Sequence, residues 1–378
     1  MKLGVIGYGA RIQYVISEVM KQDPSCQIKS IVDIRKDKIR EELRQQGLEN
    51  VQLYETAEQM LASERLDGVL IGTRCSLHTS MALKVLPTGI PLYLEKPVST
   101  TMEDLLRLKT GYKASRSQVV VSFPLRLTLI VQLVKEIIDS GKIGTVEHVQ
   151  AINNVTYGRV YFQNWYRDEN ETGGLFLQKA THDFDYINYV LGLQPTSVCA
   201  MTSKQIFKGS KPAGLKCVDC EDNRSCSESA AFRTDLDPSW QSCCYAQDTG
   251  NEDSGSVLMR YPTGMHASYS QNFFVQGDAG ARGARFMGHK GTVEFDFITG
   301  KVKVFMHHTP RIETYEFSSN AGHFGGDTEL ARNFVDVMRG TAASISPLED
   351  GLSSALLCLK AKESAETGSF QSVYWEGF

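Results

Sequence analysis

The sequence feature that most constrains the fold is a glycine turn, Gly7-Tyr8-Gly9, which directly follows the short apolar run at residues 3–6. Beyond the turn, apolar side chains recur at helical spacing from Ile12 to Val19. Two glycines let the chain pass sharply from a strand into a helix, and the first N–H groups of such a helix can face a pyrophosphate. The N-terminal segment therefore predicts the strand, turn and helix of a dinucleotide-binding domain.

Short apolar runs alternate with helical segments through the first third of the chain. The runs lie at residues 3–6, 28–32, 51–54, 69–73, 92–94 and 119–123. This alternation is typical of an α/β domain whose doubly wound parallel sheet is covered by helices on both faces. We therefore predict a Rossmann domain over residues 1–122. At 378 residues the chain is too long for one ordinary core, so residues 123–378 should form a second domain.

Charged residues at the end of the second predicted strand bear on the choice of cofactor. Asp33 lies about 20 residues beyond the glycine turn, where a carboxylate would accept hydrogen bonds from the adenosine ribose. Arg35 and Lys36 follow closely and could instead attract a 2′-phosphate. NAD is therefore the expected cofactor, and NADP stays a second candidate. Ile12 occupies the third glycine position of the G-x-G-x-x-G pattern, which predicts a slightly displaced helix.

A second motif, Glu95-Lys96-Pro97, directly follows the apolar run at residues 90–94. It places a lysine at the carboxyl end of a later strand of the same predicted sheet. Open α/β sheets bind ligands at that edge, so Lys96 can point at the group with which a dinucleotide reacts. The two motifs together predict a nicotinamide enzyme with a lysine at its reacting centre.

The composition excludes several classes of partner. The formal net charge of −4 gives no basic field, which argues against nucleic acid and anionic membranes. No stretch approaches the roughly 20 apolar residues that span a bilayer, and the N-terminus lacks the pattern of a signal peptide. We expect a cytoplasmic protein that binds neither nucleic acid nor membranes.

With Glu95-Lys96-Pro97 the sequence resembles the Gfo/Idh/MocA family, the oxidoreductases typified by glucose–fructose oxidoreductase and inositol dehydrogenase. Several spaced motifs resemble those of the family, in the right order and along nearly the whole chain. They are the segment 67–73 with His78, Arg126 after the sixth strand, the turn at 141–144, the segment from Gly173 through His182 to Asp185, and the segment 323–327.

The resemblance implies a second domain of the α+β class, with a large and mostly antiparallel sheet that forms the interface of a homodimer or homotetramer. It also implies hydride transfer to or from a secondary hydroxyl of a sugar, polyol or sugar derivative. The predicted cofactor contacts are Gly7, Gly9, Ala10, Arg11, Ile12, Asp33, Arg35, Thr73, His78, Glu95 and Lys96.

The resemblance assigns the base to His182 and the cation beside the reacting oxygen to Lys96. A histidine accepts a proton near neutral pH, and an ammonium favours the alkoxide as hydride leaves. Lys179 and Asp185 flank His182 at helical spacing and are further catalytic candidates. Aromatic side chains at 157–166 would suit stacking on a sugar and equally suit covering the sheet. The predicted substrate contacts are Lys96, Arg126, Tyr157, Trp165, Gln178, His182 and His323.

One departure from the family's sugar dehydrogenases lies four residues before His182, where an aspartate is common and this chain has Gln178. An amide can orient an imidazole but cannot stabilise its cation by charge, and Lys179 adds a positive charge nearby. The chain thereby resembles a subgroup with a lysine here and a cysteine-containing insertion. Two alternatives to a plain dehydrogenase stay open: an eliminating, glycoside-cleaving enzyme that recycles NAD, and a non-catalytic NAD-binding sensor.

Five of the nine cysteines fall within a polar segment, residues 205–245, that we interpret as an insertion in the second domain. Cysteine thiolates at short spacing can enclose a tetrahedral zinc, and a poorly packed loop would gain order from it. We therefore predict a structural zinc held by Cys217, Cys220, Cys226 and Cys244, with Cys243 as an alternative fourth ligand. Free cysteines, a disulfide and an Fe–S cluster remain competing interpretations.

Overall fold

The computed structural model describes residues 1–234, 239–318 and 322–375. The chain forms two compact units. The first contains Met1–Leu129 and Ser319–Leu356, and the second contains Ile130–Ser318 and Leu357–Phe378. The sequence-based division after residue 122 assigned the whole C-terminal segment to the second domain, whereas the first unit also includes residues 319–356.

The α-helices, in chain order, are α1 (Ala10–Gln22), α2 (Lys36–Gln45), α3 (Ala57–Ser63), α4 (His78–Val85), α5 (Met102–Lys113), α6 (Leu129–Asp139), α7 (Val160–Gln163), α8 (Glu169–Thr172), α9 (Thr181–Leu191), α10 (Gly326–Met338) and α11 (Leu348–Thr367). Within the ranges described, no helix has the length and apolar content needed to cross a membrane.

The first unit is built on a parallel sheet. Its strands are β1 (Lys2–Ile6), β2 (Gln27–Val32), β3 (Gln52–Tyr54), β4 (Gly68–Ile71), β5 (Leu92–Leu94) and β6 (Val119–Val121). They lie in the order β3-β2-β1-β4-β5-β6, which confirms the predicted Rossmann-type sheet. The strand order reverses between β1 and β4, and open sheets of this kind bind ligands beyond the carboxyl ends of the strands at that point.

Helix α10 completes the core of the first unit. Leu330 and Phe334 of α10 are buried together with Val15 of α1 and Tyr93 of β5. The Phe334 ring meets the Tyr93 ring edge-on, with 5.6 Å between the ring centroids. Gly68 makes room for this contact, because a Cβ built there would lie 3.0 Å from the Phe334 ring. The periodicity predicted a helix in this segment, but periodicity alone cannot show which sheet a helix covers.

A glycine after β4 makes up for the missing third glycine of the turn motif. Ile12 is buried in the core of the first unit. A Cβ built on Gly72 would lie 2.7 Å from the Cβ of Ile12, which is closer than two carbon atoms can approach. The close packing of α1 on the sheet, which the third glycine usually permits, is thus obtained from the strand side. Room for Ile12 comes from Gly72.

We predict that Gly72→Ala lowers the free energy of unfolding by about 1–3 kcal/mol, because it overfills the contact with Ile12. Adding Ile12→Ala should then cost much less than Ile12→Ala costs in the wild type, because the smaller side chain accepts the new methyl group. Urea unfolding of the two single variants and the double variant measures this coupling. Strictly additive losses would contradict the contact.

The second unit is built on a mixed sheet of nine strands. They are β7 (Val146–Asn154), β8 (Ser197–Ser203), β9 (Ser254–Arg260), β10 (His266–Asn272), β11 (Ala281–Gly288), β12 (Gly291–Asp296), β13 (Lys301–Met306), β14 (Ile312–Glu316) and β15 (Gln371–Ser372). Their order is β14-β13-β12-β11-β7-β10-β9-β8-β15. Strands β7 and β10 pair in parallel, and the other neighbours are antiparallel. The predicted large and mostly antiparallel sheet is confirmed.

Strand β11 shows why single strands of this sheet are hard to recognise from the sequence. Its sequence contains two glycines and two arginines, which give a weak strand signal. The glycine at its centre is required by the fold, because a Cβ built on Gly283 would lie 1.9 Å from the carbonyl oxygen of Phe295 in β12. The backbones of β11 and β12 thus approach so closely that this position must be glycine. A glycine adds nothing to the apolar pattern by which strands are recognised.

Candidate functional site

The glycine turn of the first unit leaves the start of α1 open to a ligand. Gly7 has a φ of 83°, and a Cβ there would lie 2.7 Å from the backbone nitrogen of Thr73. Helix α1 begins at Ala10, which is exposed, and no side chain of the described residues caps it. Its first turn carries no acidic residue. The unpaired N–H groups and the positive end of the helix dipole fit an anionic pyrophosphate.

Asp33, directly after β2, is held in place by two neighbours. It accepts the Tyr8 backbone N–H at 2.8 Å, and the Arg35 side chain binds both carboxylate oxygens, with Nε at 3.0 Å and Nη2 at 2.9 Å. Burial opposes ionisation, yet the hydrogen bonds from Arg35 and Tyr8 hold the pKa of Asp33 below its usual value. The ionised carboxylate is thus kept at the strand end where a ribose would bind.

His78 joins the loops that follow β4 and β5. Its Nδ1 lies 2.7 Å from the Pro97 carbonyl oxygen, and its Nε2 lies 3.3 Å from the Thr73 carbonyl oxygen. The side chain is buried, and burial lowers the pKa of His78, so the ring stays neutral. Sequence analysis predicted His78 as a cofactor contact. The structure gives it a supporting position beside the cis Lys96–Pro97 peptide.

Arg11 is the centre of an ion-pair network at the carboxyl edge of the parallel sheet. Its Nε donates to Glu95 at 2.9 Å, and its Nη2 donates to Asp327 at 2.6 Å and to Ser122 at 3.1 Å. Ser122 also donates to Glu95 at 2.9 Å, and the His323 ring lies 2.7 Å from Asp327. Arg11 is a predicted cofactor contact; its guanidinium bonds these groups, and a contact with the cofactor stays a prediction.

His323 and Arg126, two predicted substrate contacts, lie in the first unit. His323 has a φ of 45° and is followed by Phe324 at 48°, so two consecutive non-glycine residues adopt the left-handed conformation. Such strain clusters at functional segments. Arg126 is buried, and its guanidinium donates to Asp350 at 2.6 Å and to the Ile345 carbonyl oxygen at 3.4 Å. A substrate role for either side chain stays a prediction.

The segment that leads to His182 in the second unit is a π-helix. It covers Phe176–Ala180, follows Gly173 and Gly174, which both have positive φ, and continues directly into α9. A π-turn bonds residue i to i+5, so it holds one residue more than an α-turn. The predicted α-helical spacing of Gln178 and Lys179 relative to His182 is therefore wrong. Such π-turns occur most often at functional sites.

Two predicted site residues on this segment have defined partners. Gln178 is buried, and its amide donates to the Thr172 carbonyl oxygen at 3.0 Å. Lys179 is 6% exposed, and its ammonium donates to the Tyr157 hydroxyl at 2.5 Å. The same nitrogen lies 4.7 Å from the centre of the Tyr157 ring and 5.8 Å from the centre of the Tyr161 ring. The structure thus brings together Lys179, a predicted catalytic residue, and Tyr157, a predicted substrate contact.

A buried carboxylate beside His182 fixes the start of α9 on the sheet. Asp183 is fully buried and accepts hydrogen bonds from Asn153 at 2.7 Å, from the Tyr269 hydroxyl at 2.9 Å and from Arg282 Nε at 2.9 Å. These partners belong to β7, β10 and β11, so no local sequence signal pointed to them. His182, the residue directly before Asp183, is only partly buried.

The other predicted residues of this region are also placed. Asp185 is buried in α9. Trp165 stacks on Tyr166, with 3.9 Å between the ring centroids and 25° between the planes. A stacked aromatic pair is compatible with either of the two interpretations, sugar binding or covering of the sheet.

The described parts of the cysteine-containing insertion, residues 205–234 and 239–245, pack on the second unit. They lie between β8 and β9. Phe207 and Cys244 are buried in one cluster with Phe162. Asp253 accepts the backbone N–H groups of Ile206 and Phe207 at 2.6 and 3.0 Å. The premise of the predicted zinc site, that the loop packs poorly by itself, does not hold for the ends of these described parts.

The structure does not support the predicted zinc site at Cys217, Cys220, Cys226 and Cys244. In the described ranges, no three His, Cys, Asp or Glu side chains gather in an arrangement that could hold a metal ion. All of these cysteines are free thiols. Burial raises the pKa of the Cys217 and Cys243 thiols.

The turn, the strand order and the open start of α1 define a dinucleotide-binding protein of the Rossmann class. Comparison with known families agrees: residues 1–123 match the oxidoreductase family with an NAD-binding Rossmann fold, and residues 131–294 match the GFO/IDH/MocA C-terminal domain. The chain therefore belongs to the Gfo/Idh/MocA family of NAD-binding oxidoreductases.

Curated relatives are distant. YteT of Bacillus subtilis is 27% identical over 316 residues, which are 72% of this chain and 73% of that protein. Myo-inositol 2-dehydrogenase of Thermotoga maritima is 27% identical over 207 residues, 53% of this chain and 58% of that enzyme. The NAD-dependent scyllo-inositol 2-dehydrogenase of Bacillus subtilis is 24% identical over 206 residues, 52% of this chain and 56% of that enzyme. The matches to the two inositol dehydrogenases thus span little more than half of those proteins.

Solved structures share the fold over the full chain. Levoglucosan dehydrogenase, in complex with NADH and levoglucosan, matches with a TM-score of 0.80 at 17% identity and covers 99% of this chain and 100% of that one. Myo-inositol 2-dehydrogenase of Lactobacillus plantarum matches with a TM-score of 0.73 at 16% identity, covering 99% of each chain. At these identities the likeness shows the fold alone.

We predict that Arg11→Met lowers the free energy of unfolding by about 3 kcal/mol, because it leaves Glu95 buried without a counter-charge and leaves Asp327 with His323 alone. Asp327→Asn in the Arg11→Met background should recover part of that loss, since it removes one of the uncompensated charges. Thermal and urea unfolding of the wild type and the two variants provide the measurement. Equal stability of wild type and Arg11→Met would show that the network does not hold the fold.

Proposed function

We propose that the protein is an NAD(H)-dependent oxidoreductase that transfers hydride to or from a secondary hydroxyl of a sugar, polyol or sugar derivative. The observation that carries this proposal is the open start of α1 beside the ionised Asp33, with Lys96 following another strand of the same sheet. The relatives named as inositol dehydrogenases and the shared fold of levoglucosan dehydrogenase support the substrate class. We also place the chain in a subgroup with a lysine before the histidine and a cysteine-containing insertion.

The proposed roles divide between binding and chemistry. The N–H groups at the start of α1 would hold the pyrophosphate and Asp33 would bind the adenosine ribose, and the cofactor's nicotinamide would supply the hydride acceptor or donor. Lys96 donates a hydrogen bond to the reacting oxygen and stabilises its negative charge. His182 takes the hydroxyl proton, and its neighbour Asp183 fixes the helix that carries it. Asp185 on the same helix remains a further candidate.

We propose a homodimer or homotetramer as the working form. Three strands of the nine-stranded sheet carry exposed apolar side chains, namely Ile152, Met201 and Leu258. The rings of His148 and His266 lie 4.5 Å apart on the central strand pair of the same sheet. An exposed apolar area of this kind is typical of a protein–protein interface.

The oxidoreductase proposal predicts formation of reduced nicotinamide from NAD with a member of a panel of polyols and sugars, including myo-inositol, scyllo-inositol and levoglucosan. Lys96→Ala and His182→Ala should each lower turnover by about 10²–10⁴-fold, the usual cost of losing a positioned proton-transfer group, while NADH still binds. Gln178→Ala is the matched control, and it should cost much less because its amide bonds a backbone carbonyl.

Absorbance of reduced nicotinamide follows the reaction, and cofactor fluorescence follows NADH binding. NADH binding without turnover on any member of the panel would favour the sensor alternative. Near-normal turnover of His182→Ala would show that another group is the base.

The ionised carboxylate of Asp33 predicts that NADH binds more tightly than NADPH, because it would repel a 2′-phosphate at close range. Asp33→Asn should shift the ratio of the two affinities toward NADPH by about tenfold or more, the effect of roughly 1.4 kcal/mol. Arg35→Gln is the companion variant, since it removes the one side chain that binds both oxygens of Asp33.

Fluorescence titration of both reduced cofactors gives the affinities. Tighter binding of NADPH by the wild type, lost in Arg35→Gln, would assign Arg35 to the 2′-phosphate and overturn the preference.

A further inference from the structure

The ammonium of Lys179 is buried without a counter-ion. The side chain is 6% exposed, and among the described residues no carboxylate pairs with its nitrogen. Its neighbours are the Tyr157 hydroxyl and the faces of the Tyr157 and Tyr161 rings. Taking a cation out of water costs several kcal/mol or more unless opposite charge compensates it. An arrangement that is costly for stability and built from titratable groups marks a functional site.

Tyr157 connects this buried cation to the exterior. Its side chain is 55% exposed, although its oxygen contacts the buried nitrogen of Lys179. An ammonium can only donate, so the phenol oxygen accepts and its own proton must point to another acceptor. A cation at this distance also favours the phenolate. Arg282 lies within electrostatic range of Tyr157 as well, although Asp183 balances its charge.

The backbone holds Tyr157 in this position. The next residue, Gly158, packs closely on the backbone of Phe273. A Cβ built on Gly158 would lie 2.0 Å from the Phe273 carbonyl oxygen. The Gly158 N–H also donates to the Val155 carbonyl oxygen at 3.2 Å. Contacts of Gly158 with Phe273 and with Val155 therefore fix the turn that carries Tyr157. The Tyr157 hydroxyl contacts Lys179 without a rearrangement of this turn.

We propose that Tyr157 is a further catalytic residue that takes a carbon-bound proton from the substrate, with Lys179 as its positioning residue. The proposal rests on the proposed function. Oxidation of one hydroxyl moves a single proton, and His182 is assigned to it. Tyr157, held by Lys179 from the segment that carries His182, can serve a second proton, and the most acidic proton that the oxidation creates is on the carbon next to the new carbonyl.

The step balances as follows. The Tyr157 phenolate forms an O–H bond as the C–H bond next to the carbonyl breaks, and that electron pair becomes a C=C bond. The C–O bond at the following carbon breaks, and its oxygen leaves with the electron pair and with the proton that His182 took from the hydroxyl. The substrate class is a sugar or glycoside with an oxygen substituent two carbons from the oxidised position, and the reaction is the eliminating alternative.

A substrate-free experiment tests the pair directly. Tetranitromethane nitrates phenolates, so Tyr157 should react before Tyr374, an internal control of nearly equal exposure at 58%. Peptide mass spectrometry locates the modified residues in the full chain at neutral pH. The expected result is that Lys179→Met removes the preference and Lys179→Arg retains it. Equal nitration of Tyr157 and Tyr374 in the wild type, or a preference that survives Lys179→Met, overturns the proposal.

Solvent exchange tests the chemistry. The full chain is incubated with NAD and methyl glycosides of glucose, galactose and mannose in D₂O, and deuterium in the recovered sugar is measured by NMR. Tyr157→Phe should lower deuterium incorporation by about 10²-fold or more, while enzyme-bound NADH still forms. His182→Ala should lower formation of bound NADH itself.

The outcomes separate the two proposals. Absence of bound NADH in the wild type contradicts the proposed function, and the step that depends on it. Bound NADH without deuterium incorporation, or with incorporation that Tyr157→Phe leaves unchanged, contradicts the role of Tyr157 alone.

Discussion

The guanidinium of Arg11 joins three parts of the first unit that lie far apart in the sequence. It sits in the first turn of α1 and bonds Glu95 after β5 and Asp327 in α10, across a separation of 316 residues in the latter case. Because buried charges must be paired, each of these groups depends on the other two for its position. Glu95 directly precedes Lys96, so the backbone that carries the proposed catalytic lysine depends on α10. The first unit therefore depends on a helix that comes after most of the second unit in the sequence.

In the second unit, a buried carboxylate holds the segment that carries His182 in place. Asp183 ties the first turn of α9 to three strands of the sheet, and its neighbour His182 is left partly exposed. The preceding π-helix directs Lys179 to Tyr157. One short segment thus combines a rigid anchor with the proposed base His182 and with the cation that contacts Tyr157. Fixed anchors of this kind favour catalysis because a proton-transfer group must be held within hydrogen-bonding reach of its target.

The sequence predicted those features that depend on local pattern. The glycine turn, the six parallel strands and the acidic end of β2 all follow from spacing within a few residues, and the structure has the turn and the strands where they were expected. Gly72 could not be recognised as the partner of Ile12, because that contact depends on how β4 faces α1. The π-helix was missed for a different reason: its residues suit an α-helix equally well, and the extra residue is visible only in the hydrogen bonds.

The π-turn also has a consequence for how this helix could have arisen. One residue fewer between Phe176 and Ala180 would restore ordinary α-helical bonding. Everything on the N-terminal side would then rotate by about 100° about the helix axis relative to His182. His182 and its anchor would keep their place on the sheet, while Lys179 would turn away from Tyr157. A single codon inserted in or removed from this stretch would therefore make or break the contact between Lys179 and Tyr157 without moving His182.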